Sequence, residues 1–190
     1  VSNFLSSLFD DIQNDKKSYL NNIIFVNKSC LTSNGITETY CNIIDGQQRI
    51  TSIYILLKSL YDYAKKEKNF KLEDIIKDYL FNKKYEESHK LKLKPIKSDN
   101  EQLNYLMKNE FDELSKESNI YQNYILFESL IEEAISKNYT IEDILEGIEK
   151  LEVVEIVLDS SQGDEAQVIF ESINSTGLEL FVADLIGFNF

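Results

Sequence analysis

An α+β domain is predicted, a small mixed sheet wrapped by helices with a helical insertion between sheet strands. Three observations predict it. Two strand-like runs flank a polar turn early in the chain, the apolar period lengthens to a helical one at Ile50, and a β-branched run at 151–158 follows three helical stretches.

Residues 4–12 place Phe4, Leu5, Leu8, Phe9 and Ile12 at helical spacing and predict a short helix. Residues 22–26 form a compact strand-like run, and 36–44 alternate as a second strand beyond the polar turn at Ser33, Asn34 and Gly35, so a hairpin is expected. Asp45 and Gly46 end it. From there Ile50, Ile53, Leu56, Leu57, Leu60, Tyr61 and Ala64 make one apolar face of a helix of about four turns. A further helix is predicted over 72–81. Residues 89–94 alternate Lys with Leu91 and Leu93 as a half-exposed strand that Pro95 closes. Helices follow at 99–110, 119–136 and 141–149. Thr140 caps the last, with Asp143 where a full capping box prefers Glu or Gln. The run 151–158 is the strongest strand, and its apolar, β-branched content predicts a central position with both faces covered. Ala166, Ile169, Phe170 and Ile173 then share a helical face that 174–177 break, and another apolar stretch starts near Leu180. The whole reads as one domain, 1–190, with its helical insertion at about 99–149.

Composition removes several function classes. Hydrophobic residues make up 43% of 190, which is globular rather than disordered. A net charge of −13 repels a nucleic-acid backbone at long range and argues against simple non-specific DNA binding. The charge is uneven, +4 over 80–98 and −10 over 99–152. Lys90, Lys92 and Lys94 in the basic stretch either meet a phosphate or lie in solvent. Cys30 and Cys41 have no CxxC spacing, so a disulfide scaffold and a structural metal site are not expected. His89, the one histidine, reads as a surface residue rather than as the partner of a thiol nucleophile. Neither a signal peptide nor a membrane-length apolar stretch is present, so no membrane association is expected and the cytoplasm is the default. The chain starts at Val1 already in pattern and stops at Phe190 inside an apolar run, as an excised piece of a longer protein does.

Two loops have the residue types for chemistry. In the first, residues 45–49, Gly46 permits a tight turn and Gln47 starts a helix whose unpaired N–H groups form an anion site. Arg49 adds a bidentate grip on a phosphate, and Gln47 and Gln48 bring neutral donors and acceptors. Asp45 can orient Arg49, hold Mg²⁺ or position a water. The bland alternative is that Asp45 caps the helix and Arg49 pairs with a surface acid. This is not a Walker A loop, because the glycine-rich run ending in Gly-Lys-Ser/Thr is missing. In the second loop Asn174 and Gly177 suit a helix end followed by a turn, Glu171 reaches the same side, and Thr176 adds a hydroxyl. There the alternative is a well-made turn in which Asn and Gly supply backbone geometry alone.

The segments IIDGQQRITSIYILLKSL and AQVIFESINSTGLELFVADLI resemble the paired signatures of the N-terminal domain of GmrSD-type modification-dependent restriction enzymes, in the ParB/sulfiredoxin-like superfamily. The run LKLKPIKSDNEQLNYLM, with Lys94 and Asp99, resembles that family's weaker central segment. The resemblance covers about 4–187. It implies a ParB/sulfiredoxin-like sheet and a nucleotide-binding, NTP-hydrolysing regulatory domain of a restriction or anti-phage defence protein. The ligands implied are GTP or ATP with Mg²⁺. The partners implied are modified phage DNA, an HNH-type nuclease domain fused or in trans, and a second copy of the chain in a homo-oligomer. Asp45, Gln48 and Arg49 become the catalytic candidates, with Asp45 also the metal ligand. Gly46, Gln47, Gln48, Arg49, Asn174, Thr176 and Gly177 would hold the nucleotide, and Asp184 follows the second loop.

Two departures stand out. The strand and the Tyr-Gln-Arg-x-Tyr-x-Trp-like segment with which family members begin are not in this sequence, and Gly187 stands where many have Arg. No HNH motif occurs in these residues, so nuclease chemistry belongs to another domain. Two other readings remain: a DNA-sensing module without turnover, and a structural scaffold for a nuclease partner.

Overall fold

The structure, a computed structural model, describes residues 19–31, 37–82, 91–95 and 97–158. The expected helix at 4–12, the turn at 33–35, His89, Lys90 and all expectations for 159–190 lie outside the described residues. The class is α+β. In chain order the elements are β1 (Tyr19–Leu31), β2 (Thr37–Asp45), α1 (Gln47–Lys66), α2 (Phe70–Leu80), α3 (Lys97–Lys108), α4 (Asn119–Ser136), α5 (Ile141–Glu149) and β3 (Glu152–Leu158). The chain forms two compact units, Val1–Asn21 with Gln47–Val153 and Asn22–Gly46 with Val154–Phe190.

In the sheet unit the expected hairpin is present, with β1 longer than the compact run at 22–26 and β2 of the expected length, displaced by one residue. β1 and β2 pair antiparallel from Leu31 opposite Thr37 to Ile24 opposite Asp45. The small mixed sheet has the order β2-β1-β3. Ile24 and Val26 are buried, and Ile44 and Ile156 pack on them. Among the described residues β3 flanks the sheet rather than occupying its middle, which corrects the expectation from its β-branched run. Its faces differ in exposure. Val153 and Glu155 are exposed while Glu152, Val154 and Ile156 are half-buried, the period-2 pattern of a strand with one open face. The 13-residue β1 has a neighbour on each side and takes the central place.

In the helical unit α1 is the hub. Residues 54–60 are all buried, so the helix is enclosed around its circumference there and not along one face as its apolar spacing indicated. α2 lays Leu72, Ile76 and Leu80 against the core, four residues apart on one side. Its N-cap Asn69 accepts from the Leu72 N–H at 3.2 Å and donates to Glu142 Oε1 at 2.9 Å. At its other end the Leu80 carbonyl accepts from the Tyr54 hydroxyl at 2.5 Å and from the Lys92 N–H at 3.1 Å. Burial pushes the Tyr54 phenol up to about 12.

That end explains why the predicted strand at 89–94 fails within its described part. Leu91 makes one isolated bridge to Phe81, and Lys92 bonds to a helix end instead of a neighbouring strand. Leu91 and Leu93 alternate with Lys92 and Lys94 because the leucines tuck onto the helical core while the lysines face outward, so the pattern is real but its cause is not a ladder. The Lys92 ammonium donates to the Asp78 carbonyl. Pro95 has no N–H to extend any pairing.

α4 starts at the Ser118 cap, which accepts from the Tyr121 N–H at 3.1 Å, and buries Ile120, Tyr124, Phe127, Ile131 and Ala134 at alternating steps of four and three. α5 opens with a complete capping box. The Asp143 N–H donates to Thr140 Oγ1 at 3.1 Å, and the Thr140 N–H donates to Asp143 Oδ2 at 2.7 Å. Aspartate therefore closes a box that more often carries Glu or Gln. Its shorter side chain still reaches the cap N–H.

Among the described residues the core contains one cation. Lys58 is 1% exposed, and its ammonium lies 2.5 and 2.6 Å from the two Asp62 carboxylate oxygens and 2.8 Å from Asn109 Oδ1. Burial holds its pKa below the usual lysine value, a drop that the Asp62 carboxylate opposes.

Two outcomes are expected in urea denaturation. Asp62→Ala should cost about 3–5 kcal/mol by stranding a buried ammonium, whereas Lys58→Met, which removes the charge and keeps the volume, should cost much less. Asp143→Ala should cost about 1 kcal/mol. The hydrogen bonds from Thr140 hold the Asp143 pKa below its usual value, so that increment is present above the unfolded-state pKa. It is lost as pH falls through the folded one, and variant and parent should converge in acid.

Candidate functional site

The candidate residues follow one another along the chain where β2 ends and α1 begins. Asp45 is the last residue of β2, and Gln47 is the first of α1. Gly46 alone reverses the backbone from extended to helical. Its φ of 92° lies where a Cβ would collide with the flanking peptide, and the residue is buried, so the position requires glycine twice over.

The strand is irregular just before this junction. Ile24 pairs with Asp45 and Phe25 with Ile43, which leaves Ile44 as an extra residue in β2. Such a bulge bends the strand and changes the direction of the residue that follows, here Asp45. Ile44 itself packs onto Ile24 and Val26, which fixes the bulge to the sheet's core.

On the helix side Gln47 and Gln48 are exposed and Arg49 is half-buried. The first turn of α1 contains no acidic residue, and the last turn contains Lys65 and Lys66. The first turn itself thus carries no carboxylate to offset the positive end of the helix dipole. The first turn of this helix thus combines a guanidinium with two amide side chains, residue types that can bind an anion at a helix start. The turn is held by Thr51, a residue sequence reasoning passed over. Its side chain is nearly buried, and its hydroxyl donates to the Gln47 carbonyl at 2.8 Å. A hydroxyl four residues after a helix start is the signal that could have found it.

Asp45, Gly46, Gln47, Gln48 and Arg49 are therefore adjoining residues of one junction. Asn174, Thr176, Gly177 and Asp184 lie outside the described residues. Among the described residues no three His, Cys, Asp or Glu side chains converge as metal ligands. No described helix is long and apolar enough to cross a membrane.

The helical unit also has a cavity of about 260 Å³, lined by the end of α1 (Ser59, Asp62, Tyr63, Lys66), by Asn109 and Phe111, and by α4 from Tyr124 to Glu132. The Tyr124 hydroxyl in its wall lies 2.9 Å from Asp62 Oδ2 and 3.0 Å from Glu128 Oε1. Burial, and after it these carboxylates, keep the phenol protonated far above its usual range. The Lys58–Asp62 spacing of four was visible on a helix, but the arrival of Asn109 and Tyr124 was not.

The family model described as GmrSD restriction endonuclease, N-terminal domain, matches residues 2–188. None of the curated proteins matches the chain.

Gly46→Ala should destabilise the chain by about 1–2 kcal/mol, the cost of a left-handed conformation for a residue with a Cβ. Denaturation midpoints of the two proteins measure it.

Proposed function

The chain belongs to the family of GmrSD restriction endonuclease N-terminal domains, and from that premise we propose that it is a nucleotide-binding and NTP-hydrolysing regulatory domain. Membership makes it a component of a restriction system. The nucleotide reading is supported by one observation, a helix start directly after Gly46 at φ 92°, with Arg49 and no acidic residue in the first turn of α1.

In this reading the phosphates of GTP or ATP sit over the N–H groups at Gln47 and Gln48, and the glycine lets the backbone approach them closely. Arg49 binds the terminal phosphate and offsets the charge that grows on it as the bond to the bridging oxygen breaks. Asp45 orients the attacking water or holds Mg²⁺, and the Gln48 amide helps place that water. Mg²⁺ suits a single protein carboxylate, because it commonly completes its shell with substrate phosphates and waters, and bound there it would neutralise phosphate charge. Asn174, Thr176 and Gly177 enter as nucleotide contacts through the family resemblance alone. Modified phage DNA and an HNH-type nuclease, fused or in trans, are the partners this regulation would serve. The net charge of −13 favours a nucleotide over a DNA backbone as the anion at the junction.

Labelled GTP and ATP should bind the purified full-length protein, and at least one should turn over with Mg²⁺ present. Arg49→Ala should weaken binding about tenfold or more, the loss of a charge-assisted hydrogen bond, with the fold retained. Neither binding nor turnover in the folded full-length protein would sink the reading.

A further inference from the structure

The cavity beside α4 has a different chemistry from the junction. It begins at Ser59, ten residues along α1 from Arg49, or about 15 Å of helix. At about 260 Å³ it falls below the ~300–1,000 Å³ usual for small-molecule sites, so it suits one side chain better than a nucleotide. Its charges also reject a phosphate. Lys58 is matched by Asp62, leaving Glu128 and Glu132 against Lys66, one negative charge in excess.

The walls favour an organic cation. Tyr63, Phe111 and Tyr124 supply aromatic surface, and the Phe111 ring packs on Tyr124 with centroids 5.8 Å apart. A cation already uses this surface, since the Lys66 ammonium stands 5.8 Å over the centre of the Tyr63 ring. Hydrogens are short as well. Lys58 directs its three at Asp62 Oδ1, Asp62 Oδ2 and Asn109 Oδ1, so Tyr124 has a single hydrogen for both the Asp62 and Glu128 oxygens beside it. One of the two carboxylates therefore takes no hydrogen from Tyr124.

We propose that this cavity receives an arginine side chain from a protein partner with a basic surface. A guanidinium stacks on aromatic rings, carries enough donors for two carboxylates, and cancels the excess charge. The chain around the site supports a basic partner, because residues 99–152 have a net charge of −10. The proposal is independent of the nucleotide reading.

The test uses the purified chain and a blocked pentapeptide with one arginine between glycines, against its citrulline counterpart, equal in shape and uncharged. The ring-proton NMR signals of Phe111 and Tyr124 should move saturably with the arginine peptide and stay still with citrulline. Glu128→Gln with Glu132→Gln should weaken binding about fivefold. Glu132→Gln alone, on an exposed residue that leaves the core untouched, should weaken it by a smaller factor if the double variant unfolds. A flat titration, an equal response to citrulline, or unchanged affinity in a folded glutamine variant would overturn the proposal.

Discussion

A lysine ammonium inside an apolar helical unit is the constraint on which that unit depends. An ion cannot remain alone in such a place, because the desolvation cost greatly exceeds what packing returns. Asp62 supplies the opposite charge from the same helix, one turn on, and Asn109 supplies an oxygen from the turn after α3. Asn109 does so from a left-handed conformation, φ 59°, which asparagine tolerates better than most residues. Tyr124 then bonds to the same carboxylate from α4. Three segments are thus tied to one charge, and directional bonds fix their register more sharply than hydrocarbon contact does.

How much of this could be read in the sequence depends on how local each cause is. The helices at 72–81, 99–110, 119–136 and 141–149 were legible because burial on one side imprints a 3.6-residue period, and their observed bounds differ only at the ends. The hairpin was legible from alternation and a polar turn. Two patterns misled for physical reasons. Leu91 and Leu93 alternate with lysines as a strand would, yet the cause is packing on α2 and the core around it. The β-branched run at 151–158 signals extended backbone, but a strand's place in its sheet is set by its partners, which lie elsewhere in the chain.

The junction was legible at the level of residue type. A change of period across Asp45 and Gly46 marks a strand becoming a helix, and glycine is what so abrupt a change demands. The bulge at Ile44 was not legible, since it depends on which residues of β1 lie opposite. The cavity was invisible for the same reason. Lys58 and Asn109 are 51 positions apart and Asp62 and Tyr124 are 62 apart, so no window along the chain contains both members of either pair. The family resemblance compensated in part, because paired signatures more than 120 residues apart encode a long-range relation that local pattern lacks, and the family match over 2–188 agrees with it.

The burial of Lys58 has a consequence for chemical labelling. Amine-reactive reagents acylate a lysine only when its nitrogen is neutral and accessible, and at 1% exposure this one is sealed in the closed helical unit. Among exposed lysines such as Lys92, Lys94 and Lys116, it serves as an internal clock. Its acylation rate reports how often α1, the turn at Asn109 and α4 part from one another, a local opening that can occur without global unfolding.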